Sequence, residues 1–537
     1  DMGVSEDIRR RATPQENAKA VVWYSGLAGG GPEGAHGRRL GAAEFLGGDN
    51  DPDYVAASPE SNANLSLLRL EPILRAHAER YDQATVRFHH ELVGLEQDAD
   101  GVTSTVLNRD TGTTYTVRSR YLLGADAGRT VGELAGVKVT MHERLRKLVS
   151  LYVSADLSEY LPGDDSVISW VFNPEYPEHL DFGGVLLSQG PERWGRHTTE
   201  WLLSVSRSDV DKSQPEKMLR WAGEALGIPD LKAKILGVSE WHLERFIIDD
   251  FRVGRVFMLG DAAHRVPPAG GLGLNSAVQD AYNLCWKLAA VLAGRAGDSL
   301  LDTYSAERRP VNLRNIEASV NGVGNQGSIS DAVGVSPDKS VEENWEALRL
   351  FWDDERPGAT EQRHEFNQWL GLATLEWRQH NTAMGYTYDS AAIVGDGTPE
   401  PVSPDWVRLY EPSTRPGQAL PHAWVERALE RRALRSLIHN GHFALIAGEN
   451  GGAWTEAAEK VARERGIPLR SARVGLGEVD LIDIRLAWQR HRAISQEGAI
   501  LVRPDGYVAF RSMGSSEDPL ATLTGVFDQI LATAGQG

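Results

Sequence analysis

The chain has 537 residues, of which 41% are hydrophobic and 24% are charged, a globular balance that excludes wholesale disorder. Its 75 acidic and 56 basic residues leave a net charge of −19, which argues against a surface for nucleic acid or anionic membrane. The single cysteine, Cys285, excludes an intramolecular disulfide and a CxxC redox pair, so a cytoplasmic protein of roughly three or four domains is expected.

The first half of the chain predicts mainly β-structure. It opens on a polar helical stretch at 7–11 instead of a first strand, so we expect an N-terminal piece to be missing. A strand at 21–24 and a helix from Leu67 to Ala78 follow. Strands are predicted at 84–88, 92–96, 102–107 and 115–123, and the tryptophan-rich residues 147–248 predict a mostly antiparallel sheet. No apolar run approaches the ~18 residues of a membrane span, and nothing resembles a signal peptide.

A formal GxGxxG occurs at Gly29, Gly31 and Gly34. A dinucleotide fingerprint needs an amphipathic helix directly after the loop, with its N-terminus facing the pyrophosphate. Here Pro32 interrupts the loop and the following residues show no apolar periodicity. We interpret this stretch as a flexible loop.

Residues 254–294 carry the clearest local signal. A short buried strand, 255–259, delivers Asp261 to a strand end, and a loop rich in proline and glycine follows. The glycines allow the backbone to approach a ligand, and a helix predicted to begin near Asn275 points its free N–H groups at that ligand. Its apolar residues fall at steps of three and four, Cys285 is expected in the core, and Gly294 is expected at the C-terminal cap.

The residues from about 415 form a separate α/β unit. A strand at 442–447 precedes a helix around 454–462, and a second strand, a hairpin around 503–506 and a last helix follow. This order predicts a thioredoxin-like domain, and the absence of cysteine excludes thiol chemistry there.

The segment Gly260–Asn275, together with 276–280 and 283–288, resembles the second flavin-binding signature of single-component FAD-dependent aromatic hydroxylases, in particular the phenol 2-monooxygenase and 2,4-dichlorophenol 6-monooxygenase group. Further matches lie at 70–74, 121–126, 386–391, 413–417 and 420–424, so the resemblance covers nearly the whole chain. It implies an α/β (α+β) fold in which a Rossmann-like FAD-binding domain carries an inserted antiparallel substrate sheet and a C-terminal thioredoxin-like domain. The boundaries it implies are 61–146 and 249–330 for the FAD domain, 1–60 and 147–248 for the sheet, 331–414 for a helical or irregular connection, and 415–537 for the last domain.

The resemblance also implies roles for single residues. Asp261 would bind the ribityl chain, the backbone from Gly271 to Asn275 would bind the N1/O2 edge of the isoalloxazine, and Pro268 would line the side where oxygen reacts. The catalytic candidates are Pro268 and Asn64, the latter at a position that is acidic in relatives. The implied cofactor-binding set is Val93, Gly124, Ala125, Asp126, Asp261, Pro268, Gly270, Gly271, Leu272, Gly273, Leu274 and Asn275.

Three departures from the family pattern stand out. The glutamine that relatives often carry before the helix at 70–74 is Leu67 here, and the nearby acidic position is Asn64. The usual Asp-Gly pair is Asp126-Ala127 here, with Gly128 one place later, so a reshaped loop is expected. The family's opening strand, its true GxGxxG and its ribose-binding acid are also absent from the sequence, which agrees with the expected missing N-terminal piece.

The predicted function is hydroxylation of a phenolic or related aromatic ring with FAD, O2 and NADH or NADPH, through a flavin C4a-hydroperoxide as the resemblance implies. Trp170 and Trp194 are candidates for an aromatic substrate wall, and core packing is an equal alternative for them. No metal site is predicted, and a homo-oligomer, a dimer or larger, is expected. The alternatives are a hydroxylase that inactivates a polycyclic antibiotic and a catalytically inactive flavin-binding or flavin-free scaffold.

Overall fold

A computed structural model describes residues 3–28, 37–45, 51–206, 214–353 and 355–533. The predicted loop at Gly29, Gly31 and Gly34 lies outside the described residues. None of the helices in these ranges is long and apolar enough to span a membrane.

The described ranges contain strands and helices in alternation. The strands are β1 (Ala20–Tyr24), β2 (Arg39–Glu44), β3 (His90–Gln97), β4 (Val102–Asn108), β5 (Thr113–Ser119), β6 (Leu122–Gly124), β7 (Val139–Ser154), β8 (Ser166–Val171), β9 (Gly184–Gly190), β10 (Glu200–Val205), β11 (Lys234–Ile248), β12 (Arg252–Val253), β13 (Val256–Met258), β14 (His264–Arg265), β15 (Trp424–Arg427), β16 (Glu430–Ala433), β17 (Phe443–Ala447), β18 (Leu469–Gly475), β19 (Leu481–Ile482), β20 (Ala499–Val502) and β21 (Val508–Ser512). The helices are α1 (Ser5–Arg11), α2 (Pro52–Ala57), α3 (Leu67–Ala78), α4 (Val131–Leu134), α5 (Pro215–Leu226), α6 (Leu272–Leu292), α7 (Thr303–Val333), α8 (Val341–Arg349), α9 (Ala359–Ala373), α10 (His380–Met384), α11 (Gly452–Arg465), α12 (Ala487–His491) and α13 (Pro519–Ile530).

The largest sheet has eight strands in the order β14-β11-β7-β10-β9-β8-β1-β2. Apart from the parallel pair β1 and β8, its neighbours are antiparallel. One face packs on α5 around Trp201, Leu203 and Met218, and the other packs on the helical segment around Phe366 and Trp345. The sheet therefore joins strands from residues 20–44 with strands from residues 139–248, and β14 adds an edge next to the glycine-rich segment.

Two small sheets lie beside the glycine-rich segment. Strands β3, β4 and β5 form one of them, and β6, β13 and β12 form the other. β6 and β13 run parallel, with Gly124 opposite Met258, so their carboxyl ends lie side by side. The strand expected at 84–88 is wrong, because the chain has no regular structure there and β3 begins only at His90.

The C-terminal sheet has seven strands in the order β16-β15-β19-β18-β17-β20-β21. β17 and β18 are parallel and connected through α11, whereas β20 and β21 form an antiparallel hairpin before α13. This is the strand-helix-strand, hairpin and helix order that predicts a thioredoxin-like unit. Trp454, Leu523 and Phe527 lie in its core.

Candidate functional site

The carboxyl ends of β6 and β13 hold the residues for which the sequence predicts ligand contacts. Gly124 is buried at the end of β6, and a Cβ at this position would lie 2.7 Å from Cγ1 of Val131. Asp261 follows β13 in a short turn and is exposed to solvent. Because the two parallel strands end together, both chain segments reach the same edge of the sheet, where ligands of α/β proteins bind.

The glycine loop, residues 266–271, connects this edge to α6. Gly270 has φ +80° and Gly271 has φ +64°, a backbone region that favours glycine. Open space surrounds the Cβ positions of Gly271 and Gly273, so a ligand can approach their backbone closely. α6 begins at Leu272, three residues before the predicted start, and no side chain of the described residues caps its first turn. The free N–H groups and the positive end of the helix dipole therefore suit an electron-rich ligand edge.

Asn275 does not cap the helix. It lies inside the first turn of α6, where its side-chain amide donates to the carbonyl of Gly271 at 2.8 Å. Pro268, Gly271, Leu274 and Asn275 are exposed, as is Asp261. These residues together present the surface that the sequence assigns to FAD, and their backbone geometry fits an extended cofactor.

Asp126 has a different geometry from the other members of the predicted set. Its carboxylate accepts hydrogen bonds from the backbone N–H groups of Gly128, Thr130 and Val131 at 3.1, 2.7 and 2.8 Å. It therefore caps the start of α4 and shapes its own loop. Val93 lies on β3, which packs against α4, and its side chain is 42% exposed.

Arg265 joins three parts of the site. Its guanidinium pairs with Glu244 of β11 at 2.7 Å and donates to the carbonyls of Ala127 at 3.0 Å and Asp261 at 3.2 Å. A Cβ on Gly128 would lie 2.8 Å from Nη2 of Arg265. The arginine thus holds the two strand ends and the large sheet in one arrangement.

A buried row of polar side chains between α6 and α7, called the polar seam, contacts the glycine loop. We define it as nine buried side chains, Ser276, Asp280, Asn283, Lys287, Glu307, Arg308, Asn312, Asn315 and Ser319. At one end, Ser319 donates to the loop carbonyls of Pro267 or Ala269, which lie 2.7 and 2.9 Å from its hydroxyl. At the other end, Glu307 accepts from Lys287 at 2.8 Å and from Arg503 at 2.5 and 2.8 Å. The seam therefore connects the glycine loop with the C-terminal sheet.

Asp280 is the centre of this seam. Its carboxylate lies 2.6 Å from Nε2 of His264 and 2.8 Å from Nε of Arg308, and it also accepts the backbone N–H of Gly260 at 3.1 Å. Burial opposes the charged form, but Arg308 and His264 outweigh it and lower the pKa of Asp280 to about 2. The aspartate is therefore ionised and fixes the start of the Gly260–Asp261 turn.

The sequence did not identify this seam. The apolar face that the sequence predicts for α6 is partly wrong. Val278 is 48% exposed, and Cys285 is exposed instead of lying in the core. The signal was present as Ser276, Asp280, Asn283 and Lys287 at spacings of four, three and four residues. This spacing places polar groups on one helix face, and only the partner helix shows that the face is buried.

A cavity of about 700 Å³ opens on the face of the large sheet. Asn64, Ser188, Trp194 and Tyr152 are among its lining residues. The side-chain amide of Asn64 donates to Thr13 at 2.9 Å, whereas the buried hydroxyl of Ser188 has no hydrogen-bond partner among the described residues. A buried, unpaired hydroxyl beside a cavity is a candidate contact for a polar group of a ligand.

Trp170 does not line this cavity. It lies on β8, two residues after the lining residue Ile168, and its ring packs on Phe182 with centroids 5.2 Å apart. Trp194 occupies the cavity wall instead, and its ring leaves space only for glycine at position 190, where a Cβ would come within 2.6 Å. Pro268 also lies outside the lining of this cavity.

Two known protein families match this chain. The FAD binding domain family matches residues 1–319, and the aromatic-ring hydroxylase C-terminal family matches residues 413–534. Phenol 2-monooxygenase from Pseudomonas sp. (strain EST1001) is 32% identical over 97% of this chain and 83% of its own length. 2,4-Dichlorophenol 6-monooxygenase from Cupriavidus pinatubonensis is 33% identical over 99% of this chain and 87% of its own.

Two solved structures of flavin-dependent hydroxylases have the same fold as this chain. The flavin-dependent monooxygenase PieE, in complex with FAD and substrate, superposes with a TM-score of 0.88 and 34% identity over 99% of this chain and 89% of its own. Aklavinone-11 hydroxylase with FAD and aklavinone gives a TM-score of 0.74 and 28% identity at the same coverage.

Proposed function

Because this chain belongs to the family of FAD-binding aromatic-ring hydroxylases, we propose that it inserts an oxygen atom from O2 into a phenolic or related aromatic ring, with NADH or NADPH as electron donor. The observation that carries the proposal is the edge formed by β6, β13 and the glycine loop. There Asp261 is exposed, Gly271 and Gly273 are open to a ligand, and no side chain in the described part of the chain caps the N-terminus of α6.

The residues at this edge fit FAD. Asp261 would accept a hydrogen bond from a ribityl hydroxyl, and the first N–H groups of α6 would bind the electron-rich edge of the isoalloxazine. When bound, FAD supplies the activation of O2, chemistry that the side chains of a protein cannot perform. The chain's own contribution is to orient the cofactor, exclude water and hold the aromatic ring.

The sheet cavity is the proposed substrate site. Leu187, Leu202 and Val238 give it apolar walls, and Trp194 adds an aromatic surface for a planar ring. The unpaired hydroxyl of Ser188 would bind a hydroxyl or carbonyl group of the substrate. These features suit a phenolic ring better than a charged, fully hydrated ligand.

Asp261→Ala tests the cofactor site. Loss of one charged hydrogen-bond partner should raise the dissociation constant for FAD about ten- to hundred-fold. Quenching of flavin fluorescence during titration measures this constant. Asp100→Ala, which removes an exposed carboxylate from a distant turn, is the matched control. Equal affinity in the two variants would contradict the assignment of Asp261.

A second candidate substrate is a polycyclic aromatic compound. The cavity volume of about 700 Å³ is the observation that favours it, because a single phenol ring fills only a fraction of such a space. Tetracenomycin B2 monooxygenase-dioxygenase from Streptomyces olivaceus is 36% identical over 89% of this chain and 79% of its own length. A panel of simple phenols and polycyclic phenols, assayed for stimulation of NADH or NADPH oxidation, distinguishes the two substrate classes.

A further inference from the structure

Glu376 has a buried carboxyl group that lies next to the glycine loop. It lies in the turn after α9 and is 6% exposed. With Ala269 and Gly270 of the loop, it lines a cavity of about 220 Å³ that is separate from the cavity on the large sheet. Neither the proposed cofactor contacts nor the proposed substrate contacts use this residue.

No basic residue of the described ranges lines the cavity beside Glu376. Glu376 is the only ionisable residue that lines this cavity in the described part of the chain. On the elements packed around it, Arg314 donates to the carbonyls of Trp406 and Asn381, Arg378 pairs with Asp51, and the ring of His380 packs on Tyr54. On α9, Arg363 donates to the carbonyls of Leu350 and Phe351. The other charged groups on α7 and α9 near this turn, Glu317, Glu361, His364 and Glu365, are exposed. Burial without a counter-charge raises the pKa of Glu376 to about 8.

The hydrogen bonds of Gln326 support a protonated Glu376 independently. The side-chain amide of Gln326 donates to Oε1 of Glu376 at 3.0 Å, while its own carbonyl oxygen is buried and has no partner among the described residues. A carboxylic acid can accept the amide N–H and donate its own O–H to the amide oxygen, whereas an ionised carboxylate can only accept. Protonation of Glu376 would provide an O–H donor for this buried oxygen, which otherwise has no partner among the described residues.

Glu376 is linked to the glycine loop through Gln379. The side-chain amide of Gln379 donates to the backbone carbonyl of Glu376 and to the carbonyl of Gly270, the latter at 3.2 Å. The fit is tight, because a Cβ on Gly270 would lie 2.3 Å from Nε2 of Gln379. Across the turn, a Cβ on Gly322 of α7 would lie 3.0 Å from both Ala269 and Glu376. Glu376, Gln379 and the glycine loop are therefore in close contact.

We propose that Glu376 is a positioning residue that, as a neutral carboxylic acid, holds the glycine loop in its FAD-binding conformation, so that loss of its proton weakens FAD binding. An ionised Glu376 would repel the carbonyl-rich turn and draw water into the cavity, and Gln379 would then no longer hold Gly270. This inference rests on the proposed function, because it concerns affinity for the same cofactor.

The test measures FAD affinity as a function of pH in the full chain. From pH 7 to pH 9, the dissociation constant should rise about five-fold or more as Glu376 loses its proton. Glu376→Gln keeps the shape and stays neutral, so its affinity should vary less than about two-fold over the same range. Glu365→Gln changes an exposed carboxyl on α9 and should follow the unmodified chain.

Two further measurements complete the test. The carbonyl-stretch band of a protonated carboxylic acid should be present in infrared spectra at pH 7, should decline towards pH 9, and should be absent in Glu376→Gln. Gln379→Ala should weaken FAD binding at pH 7 and remove most of its pH dependence.

The outcomes separate the inference from the proposed function. FAD binding that is equally pH-dependent in the unmodified chain and in Glu376→Gln overturns the inference alone, as does absence of the infrared band. Absence of FAD binding at every pH in the unmodified chain contradicts the proposed function, and the inference falls with it.

Discussion

Ala127 holds a backbone conformation that alanine adopts only at a cost. Its φ is +58°, within the left-handed region, and it directly follows Asp126 at the end of β6. In this region the Cβ atom crowds the following carbonyl oxygen, which costs about 1 kcal/mol. The reshaped loop expected at the Asp126-Ala127 pair stays a prediction, and what the structure adds is the left-handed conformation of Ala127.

Ala127→Gly should therefore stabilise the protein by about 1 kcal/mol. Thermal unfolding at one pH measures the change. Gly128→Ala is the matched opposite change, because its φ is +67° and its Cβ would meet Arg265 at 2.8 Å. It should lower the melting temperature, and a stabilising effect there would contradict the assigned strain.

The two tryptophans of the large sheet should behave differently. Trp194→Ala should impair substrate-stimulated oxidation of NADH or NADPH more than FAD binding, because Trp194 lines the proposed substrate cavity. Trp170→Ala should instead reduce stability by about 3 kcal/mol and lower both functions together, since its ring packs on Phe182. Melting temperature, FAD content and turnover on one preparation separate the two cases. A selective loss of turnover in Trp170→Ala would return Trp170 to the substrate wall.

At the scale of the elements, a sequence pattern predicts α6 but not its partner helix α7. The sequence located α6 to within three residues, because apolar periodicity and the preceding glycines are local signals. It did not locate α7, whose 31 residues include Pro310 and three glycines and have no clear apolar stripe. The side-chain partners of Asp280 come from α7 and β14. The polar seam therefore depends on how these elements pack against α6, which local sequence patterns do not indicate.

Asp280→Asn tests the role of the seam. Removing the charge leaves Arg308 without its ion pair in a buried site, which should cost about 3 kcal/mol of unfolding free energy. Glu317→Gln, an exposed change on α7, is the control and should be neutral.

The pH dependence of the same variant follows from the pKa of Asp280. Because this pKa is lowered to about 2 in the folded protein, the carboxylate stabilises the fold fully above about pH 4, and this contribution is lost as pH falls towards 2. The difference in stability between the two proteins should therefore shrink by about 2 kcal/mol over that range. A constant difference would contradict the charge assignment.

At the scale of the whole molecule, the C-terminal unit is joined to the cofactor-binding part through a buried ionic cluster. Arg503 donates to Glu307 of α7 and to Asp505, and all three side chains are nearly inaccessible. Arg503 and Lys287 outweigh the effect of burial and lower the pKa of Glu307. The order of elements in the sequence predicted the separate C-terminal unit. Nothing in the hairpin turn at 503–506 indicated that Arg503 contacts Glu307 of the polar seam.

Arg503→Met should leave two buried carboxylates without their main counter-charge and cost about 3–5 kcal/mol. Because the lost contact between Arg503 and Glu307 connects the two units, calorimetry should resolve separate transitions where the unmodified protein shows a single one. Arg432→Met, an exposed change on β16, should leave the transition unaltered. A single transition in Arg503→Met, with unchanged midpoint, would show that the cluster does not couple the units.

The prediction of an FAD-dependent aromatic hydroxylase is tested most directly by one reconstitution experiment. The purified chain is mixed with FAD, a phenol or polycyclic phenol, NADH or NADPH, and air, and both cofactor oxidation and the hydroxylated product are measured. We expect bound FAD, oxidation of NADH or NADPH that increases with substrate, and a product that carries one oxygen atom from O2, with all three reduced in Asp261→Ala. FAD that binds without any hydroxylated product across the panel would support the inactive scaffold instead, and a chain that binds no FAD would contradict the account.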